Sequence, residues 1–185
     1  MKINIAIFVA PNSEDIETIV PIDLLRQAKL NIKVISLDKS KTLKLANGTQ
    51  IICDSLINNE VLTKYNVFVF PGGSGILQVN NKKLSDFCYA NANNKKYLFC
   101  ANCVAPTKLF EWGMFEKNNI KLTCYPASNF TKKLLDHYVN KRVVVNKNFI
   151  SAAGPGCSSD FTFAIINKLL GVNKTKQIKK STVFN

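Results

Sequence analysis

The sequence predicts an α/β fold in which a mostly parallel β-sheet is covered by helices on both faces. Strand-like and helix-like segments alternate along the chain, as the connections of a parallel sheet require. The strand-like runs are almost continuously apolar, which is typical of strands buried on both faces. No linker, repeat or low-complexity block interrupts the 185 residues, so we expect residues 1–185 to form a single domain.

The first strand is followed closely by the first helix. Residues 3–10, INIAIFVA, form a short apolar run that predicts a buried strand. Residues 13–29 place apolar side chains at helical spacing, and Ser13 is the expected N-cap of this helix. Pro21 lies inside the pattern, where it should kink or restart the helix.

The middle of the chain continues the alternation. Residues 31–37 predict a second strand, and an Asn-Gly pair between alternating apolar residues predicts a hairpin over 41–54. Residues 66–75, NVFVFPGGSG, predict a buried strand that ends in a glycine turn. A helix is expected over 82–93 and a further strand over 97–102.

The last part of the chain predicts two helices and three strands. A helix over 104–113 should stop at Gly113, and a closing helix over 157–171 should end at Gly171. The strands expected between these helices cover 119–126, 141–146 and 148–156.

The formal net charge of +13 raises the question of nucleic-acid binding. Only Arg26 and Arg142 of the 25 basic residues are arginine, the residue that bidentate contacts to phosphates and bases favour. The lysines are scattered, many beside asparagine, and form no stripe with aromatic residues. We interpret them as a solvated surface and expect no specific nucleic-acid partner, although a weak attraction to polyanions stays open.

No apolar run reaches 18 residues, so we expect no membrane span and no membrane partner. The apolar N-terminal stretch is followed at once by Glu14, Asp15 and Glu17, which favours a first strand over a signal peptide. We therefore expect a cytoplasmic chain, in which most of the six cysteines are free thiols.

Ligands of open α/β sheets bind beyond the carboxyl ends of the strands. Distinctive residues follow four of the predicted strands there: Glu17, the pair Gly72 and Gly73, Cys103, and Gly154. We expect these residues to converge although they are far apart in sequence.

Cys103 lies where the strand of 97–102 passes into a helix, and it is the candidate nucleophile. Free backbone N–H groups and the positive end of the helix dipole favour a thiolate at such a junction. The topology is similar to a nucleophile elbow without its flanking glycines. From local sequence alone, a buried cysteine that only packs remains an equal alternative.

Cys100 and Cys103 have Cys-x-x-Cys spacing, which is typical of a redox pair or of half a zinc site. Cys100 falls within a strand, so extended geometry should hold it too far from Cys103 for an easy disulfide. The only histidine, His137, has no second cysteine pair nearby, so we expect no metal. We interpret His137 as exposed rather than as a member of a catalytic triad.

Glu17 is the candidate partner of Cys103, because it lies early in the helix after the first strand. Half buried there, its carboxyl group would have a raised pKa and could donate to a thiolate or move protons. The alternative is an acid that only favours the helix dipole, which already accounts for Glu14 and Asp15.

The chain as a whole resembles the ThiJ/PfpI superfamily, and most closely its Parkinsonism-associated deglycase branch. The similarity runs in order from about residue 3 to residue 180 and includes SEDIETIVPIDLLRQA, VFVFPGG, CVAPTKL, GPG before FTFAI, and a Lys-rich terminal helix. It implies a flavodoxin-like fold, a homodimer, and neither a metal nor an organic cofactor.

The resemblance also implies roles for single residues. Cys103 matches the family's nucleophile, and Glu17 matches a glutamate whose protonated carboxyl group hydrogen-bonds the thiolate. The backbone amides of Gly72, Gly73 and Val104 would form an anion pocket that can hold a developing oxyanion.

The rest of the pocket matches the family less closely. Gly154 and Pro155 match its wall. Tyr125 stands where many members have a histidine, so any step that relies on a group titrating near neutral pH is in doubt. Asn47 stands where an arginine often reaches the neighbouring pocket across the dimer, which puts anion binding from that side in doubt.

The activity implied is that of a cysteine-dependent, cofactor-free glyoxalase or deglycase. Its substrates would be small 2-oxoaldehydes such as methylglyoxal, converted to 2-hydroxy acids, or early glycation adducts. The alternative is an oxidative-stress sensor or redox-regulated chaperone that uses the same oxidisable cysteine. Peptidase and amidotransferase activities are less favoured, because no histidine is expected beside Cys103.

Overall fold

The computed structural model describes residues 3–115 and 120–184. Within these ranges the strands are β1 Asn4–Val9, β2 Asn31–Ser36, β3 Thr42–Lys44, β4 Gln50–Ile52, β5 Ser55–Leu56, β6 Val67–Phe70, β7 Leu98–Asn102, β8 Val143–Asn146 and β9 Phe149–Ala152. The α-helices are α1 Asp15–Gln27, α2 Ser74–Gln78, α3 Lys82–Asn91, α4 Ala105–Glu111, α5 Ser128–Thr131 and α6 Ser158–Ser181. No helix in the described ranges is both long and apolar enough to cross a membrane.

Seven of the strands form one sheet in the order β5-β2-β1-β6-β7-β9-β8. All neighbours in this sheet pair in parallel except β8 and β9, which are antiparallel and joined by a two-residue turn. This confirms the predicted α/β fold with a mostly parallel sheet. Strands β3 and β4 form a separate antiparallel hairpin, as the Asn-Gly pair predicts.

Helices cover both faces of the sheet. On one face the core contains Ile5, Ile7 and Val9 of β1 together with apolar side chains of α1 and α6. On the other face Ala6 and Phe8 of β1 pack in a core to which α2, α3 and α4 contribute. Alternate residues of one strand thus pack in the cores on opposite faces of the sheet, which explains why the strands are apolar throughout.

One expectation about α1 is wrong, and half of another is excluded. Ser13 does not cap the helix, because its hydroxyl accepts a hydrogen bond from the backbone N–H of Ala10 at 3.0 Å. Glu14 is the N-cap instead, and its side chain accepts from the N–H of Glu17 at 2.7 Å. Pro21 does not restart the helix, since α1 is continuous from Asp15 to Gln27.

The predicted strand over 119–126 is also wrong in its described part, because Leu122 makes only an isolated bridge with Tyr138. The pairing edge of β9 is already occupied by β8, so no strand position is available beside it. The segment instead docks through the N–H of Thr123, which donates to Ser151 Oγ at 2.9 Å.

The closing helix contains the break expected at Gly171. This glycine has φ +81°, a left-handed conformation that interrupts the helical dihedral angles of α6. A Lys-rich helical segment continues beyond it to Ser181.

Candidate functional site

The candidate site lies beyond the carboxyl ends of three neighbouring strands. Glu17 follows β1, Gly72 follows β6, and Cys103 follows β7. The chain leaves β1 toward β2 on one side and returns to β6 on the other, so the site lies where the strand order reverses. The topology therefore brings these three residues together, as the sequence predicts.

Cys103 has a left-handed backbone conformation, with φ +58°. This geometry is unfavourable for a non-glycine residue by about 1–2 kcal/mol. Hydrogen bonds hold it in place, because the Cys103 N–H lies 2.8 Å from Asn102 Oδ1 and 2.9 Å from the carbonyl oxygen of Ala152. Asn102 is itself buried and donates from Nδ2 to Ser158 Oγ at 3.3 Å. The junction between β7 and α4 is thus tied to the start of α6.

Glu17 is almost completely buried, with 1% of its surface exposed. Its Oε2 accepts a hydrogen bond from the N–H of Gly72 at 2.7 Å. Its Oε1 is buried without a hydrogen-bond partner. The Cys103 thiol interacts with the same carboxyl group. A buried carboxyl group with one unsatisfied oxygen beside a thiol is a candidate proton carrier.

Gly72 is the point where the Glu17 and Cys103 side chains meet. A Cβ atom at this position would lie 2.6 Å from Cys103 Cβ and 2.7 Å from Glu17 Oε2. Its neighbour Gly73 has φ +94°, and a Cβ there would lie 2.4 Å from the carbonyl oxygen of Asn12. The first glycine is required by space, and the second by both space and backbone conformation.

Burial raises the pKa of Glu17 to about 7. The hydrogen bond from Gly72 and the contact with Cys103 oppose this rise, and the charge of Glu14 adds to it. The expectation of a raised pKa is confirmed, and the side chain is more deeply buried than the half burial expected. A carboxyl group with this pKa can both accept and donate a proton near neutral pH.

The pKa of the Cys103 thiol is raised rather than lowered, which corrects the expectation from the helix N-terminus. Burial is the main cause, and the Glu17 carboxylate adds repulsion. The backbone N–H groups of Val104 and Gly73 hydrogen-bond the sulfur and act in the opposite direction. Their effect is the smaller one because Cys103 is buried, with only 8% of the residue exposed.

The anion pocket expected from the three amides is therefore only partly available. The Gly72 N–H is occupied by Glu17, whereas those of Gly73 and Val104 face the sulfur of Cys103. Proton transfer from the thiol to Glu17 leaves the total charge of the pair unchanged. The pair can thus form a thiolate next to a carboxylic acid without exchanging a proton with solvent.

Tyr125 lies beside Cys103, and Gly154 lies beside Tyr125. The Tyr125 N–H donates to the carbonyl oxygen of Cys103 at 2.8 Å, and a Cβ on Gly154 would lie 3.6 Å from Tyr125 Cδ2. The Tyr125 side chain is 43% exposed and packs edge-on against Phe130. Pro155 opens the 3-10 turn that precedes α6. Tyr125 thus presents an exposed phenol beside the candidate nucleophile.

Cys100 does not join the site. It packs in the core on one face of the sheet, whereas Cys103 belongs to the core on the other face. All six cysteines are free thiols. In the described part of the chain, no group of three or more His, Cys, Asp or Glu side chains is arranged to hold a metal ion.

His137 is half-buried, which corrects the expectation of an exposed residue. Its Nδ1 lies 2.8 Å from the carbonyl oxygen of Ile120, and its ring contacts those of Phe110 and Phe115. These contacts indicate that His137 packs against α4 and the residue Phe115 that follows it.

Asn102 and Glu14 are the residues of the site that sequence reasoning missed. Asn102 supports the backbone of Cys103, and Glu14 both caps α1 and raises the pKa of Glu17. A polar residue at the end of an otherwise apolar strand, directly before the candidate nucleophile, was the available signal for Asn102.

The chain belongs to the DJ-1/PfpI family, whose model matches residues 3–168. Within this family its relatives lie in the DJ-1 branch. It is 32% identical over 178 residues to protein DJ-1 homolog B of Arabidopsis thaliana, which covers 95% of this chain and 40% of that protein. The chain thus spans about two fifths of this plant relative.

The crystal structure of Drosophila melanogaster DJ-1beta has the same fold, with a TM-score of 0.89, 28% identity and complete coverage of both chains. Toxoplasma gondii DJ-1, described as oxidized, also has a TM-score of 0.89, at 24% identity and with 98% of each chain covered. A Caenorhabditis elegans relative named glutathione-independent glyoxalase DJR-1.2 is 24% identical over 170 residues, covering 91% of this chain and 89% of that protein.

Proposed function

We propose that this protein is a cysteine-dependent, cofactor-free glyoxalase or deglycase that acts on small 2-oxoaldehydes such as methylglyoxal or on early glycation adducts. The observation that carries the proposal is the buried contact between the Cys103 thiol and the carboxyl group of Glu17, whose Oε1 has no hydrogen-bond partner. The name of the Caenorhabditis elegans relative supports the same reaction class.

The reaction begins when Glu17 takes the proton of Cys103 and the sulfur attacks the aldehyde carbon. A C–S bond forms, the carbonyl π bond breaks, and the oxygen takes up a proton from Glu17 to give a hemithioacetal. The Gly73 and Val104 amides, which already face the sulfur, can stabilise the oxyanion before it is protonated.

The second stage moves a hydrogen between adjacent carbons. The Glu17 carboxylate removes the proton from the carbon that carries the sulfur, and the resulting enediol is reprotonated on the neighbouring carbon. The product is a thioester of lactate on Cys103. Water hydrolyses this thioester, so that methylglyoxal plus water becomes lactate and the thiol is restored. A carboxyl group with a pKa of about 7 suits both proton transfers.

Lactate formation from methylglyoxal in an amine-free buffer tests this proposal. We expect Cys103→Ala and Glu17→Gln each to lower the rate by about a hundredfold or more, because each removes a group that contacts the reacting atoms. Cys88→Ala and Asp23→Asn are the matched controls, one a buried cysteine of α3 and the other an exposed acid of α1. Both should retain wild-type rates. If the wild type forms no more lactate than Cys103→Ala, the enzyme proposal is wrong.

An oxidation sensor is the second candidate function. Cys103 is, at 8%, the most exposed of the six cysteines, and the solved Toxoplasma gondii DJ-1 is an oxidized form. Two successive equivalents of peroxide would convert the Cys103 thiol to sulfenic and then sulfinic acid, each releasing water. Protonated Glu17 could then donate from Oε1 to a sulfinate oxygen.

Mass spectrometry after mild peroxide treatment separates the two functions. A selective gain of two oxygens on Cys103, lost in part when Glu17 is changed to Gln, would favour the sensor. Oxidation that spreads evenly over all six cysteines would count against it.

A further inference from the structure

A cavity of about 670 Å³ lies at the amino ends of the parallel strands, at the end of the sheet opposite Cys103. Its described lining includes Val67 and Leu98, the first residues of β6 and β7, and the turn between β8 and β9. Cys103 lies beyond the other end of β7, a strand of five residues. At about 3.3 Å per residue, the two places are roughly 16 Å apart. The cavity is thus separate from the site of the proposed function.

The floor of this cavity is apolar. Tyr97 and Leu98 are buried in the core, and Ile3 and Leu169 pack against the core from the cavity side. A concave apolar floor of this size is typical of sites that bury the body of a small organic molecule.

The rim of the cavity is positively charged. Its described lining contains four lysines and no acid; the lysines are Lys95, Lys96, Lys147 and Lys168. All four are exposed, and none of them forms an ion pair with a carboxylate in the described part of the chain. The ammonium group of Lys96 lies 5.2 Å from the centre of the Tyr97 ring, over the apolar floor. Lysines without acids around a concave floor concentrate a positive potential there.

We propose that this cavity binds an amphiphilic organic anion, namely a carboxylate with an aromatic or acyl body. The apolar body would lie on the floor near Tyr97 and Leu169, where it removes apolar surface from water. The carboxylate would reach the rim, where Lys147 and Lys168 extend from two different elements. A highly charged polyanion such as nucleic acid fits less well, because it offers no apolar body for the floor.

Isothermal titration with 4-biphenylcarboxylate and with the neutral 4-biphenylmethanol tests the proposal. We expect the carboxylate to bind at least about tenfold more tightly than the alcohol. The double variant Lys147→Gln with Lys168→Gln should remove most of this preference, weakening the carboxylate about tenfold and the alcohol less than twofold. The double variant Lys132→Gln with Lys133→Gln makes the same charge change on residues outside the cavity, and it should bind like the wild type.

Amide chemical-shift changes in the complex locate the ligand. They should be largest at residues 95–98, 147–148 and 168–169. The proposal is overturned if neither compound binds, if the two bind equally, if both double variants lose affinity alike, or if the shifts lie elsewhere. Cys103→Ala should bind the carboxylate with unchanged affinity, so failure here is distinguishable from failure of the proposed enzyme activity.

Discussion

The Cys103 and Glu17 pair behaves as one titrating unit rather than as two independent groups. Burial raises the pKa of both, because neither charge is well solvated at this depth. Below a pH of about 7 the pair holds two protons and is neutral, and above it the pair holds one. Only the singly protonated pair can place its one proton on Glu17 and leave a thiolate on Cys103.

Alkylation of Cys103 by iodoacetamide should therefore accelerate as the pH rises through about 7 and then level off. In Glu17→Gln this inflection should be absent, because the buried thiol must then lose its proton to solvent at a higher pH. The rate of modification of Cys103, followed by mass spectrometry between pH 5 and about 9, checks this. An inflection near pH 7 in Glu17→Gln would show that another group controls the thiol.

At the scale of elements, the site depends on how closely the loop after β6 approaches the start of α1 and the end of β7. Gly72 allows this approach, and its N–H directs one oxygen of Glu17. Ser13 and Gly73 also form an isolated bridge, which joins the loop after β1 to the loop after β6. The pocket is therefore assembled by contacts between loops that follow neighbouring strands.

We expect Gly72→Ala to lose most of the activity and about 1–3 kcal/mol of unfolding free energy, because the new methyl group overlaps both Cys103 and Glu17. Gly156→Ala is the matched control, since a Cβ there has no neighbour within 4 Å. Its unfolding free energy should change by about 0.5 kcal/mol or less. Urea denaturation and the lactate assay measure both effects. Equal stability of the two variants would contradict the close approach at Gly72.

At the scale of the whole molecule, α1 buries Glu17 in the site and exposes apolar side chains on the surface. Ile16 and Ile19 are 51% and 39% exposed. The turn of the β3–β4 hairpin lies beside this helix, because the N–H of Asn47 donates to Asp15 Oδ2 at 2.8 Å. Exposed apolar side chains of this kind on one helix are a candidate interface. We propose that they form the interface of the homodimer that the family resemblance implies.

We expect sedimentation equilibrium to give twice the 20.6 kDa mass of the chain. Ile16→Lys should shift the protein toward the monomer, because it places a charge on the apolar surface of α1. Val145→Lys on the edge strand β8 is the control, since Val145 is also 51% exposed. A wild-type mass of 20.6 kDa would contradict the dimer, and equal dissociation of both variants would contradict the assignment of α1 to the interface.

Sequence reasoning predicted most of the elements and the convergence of the site because both follow from local patterns, although it missed the short elements α2, α5 and β5. Continuous apolar runs predict the strands of a parallel sheet, and the carboxyl ends of such strands meet at one edge. This is why Cys103, Glu17 and Gly72 could be grouped from the sequence. The capping role of Ser13 and the strand at 119–126 failed, because Ser13 binds Ala10 instead and β8 occupies the edge of β9.

The sequence by itself determined the α/β class, the order of the long helices and of the strands of the parallel sheet, and the residues proposed to carry the chemistry. Only the tertiary structure decided the direction of the pKa shift at Cys103, the use of the Gly72 amide by Glu17, and the cavity at the opposite edge. The physical reason is that burial, repulsion and hydrogen-bond partners come from residues distant in sequence. A local pattern places a thiol at a helix start, but its proton affinity depends on the carboxyl group and the apolar core that the fold packs around it.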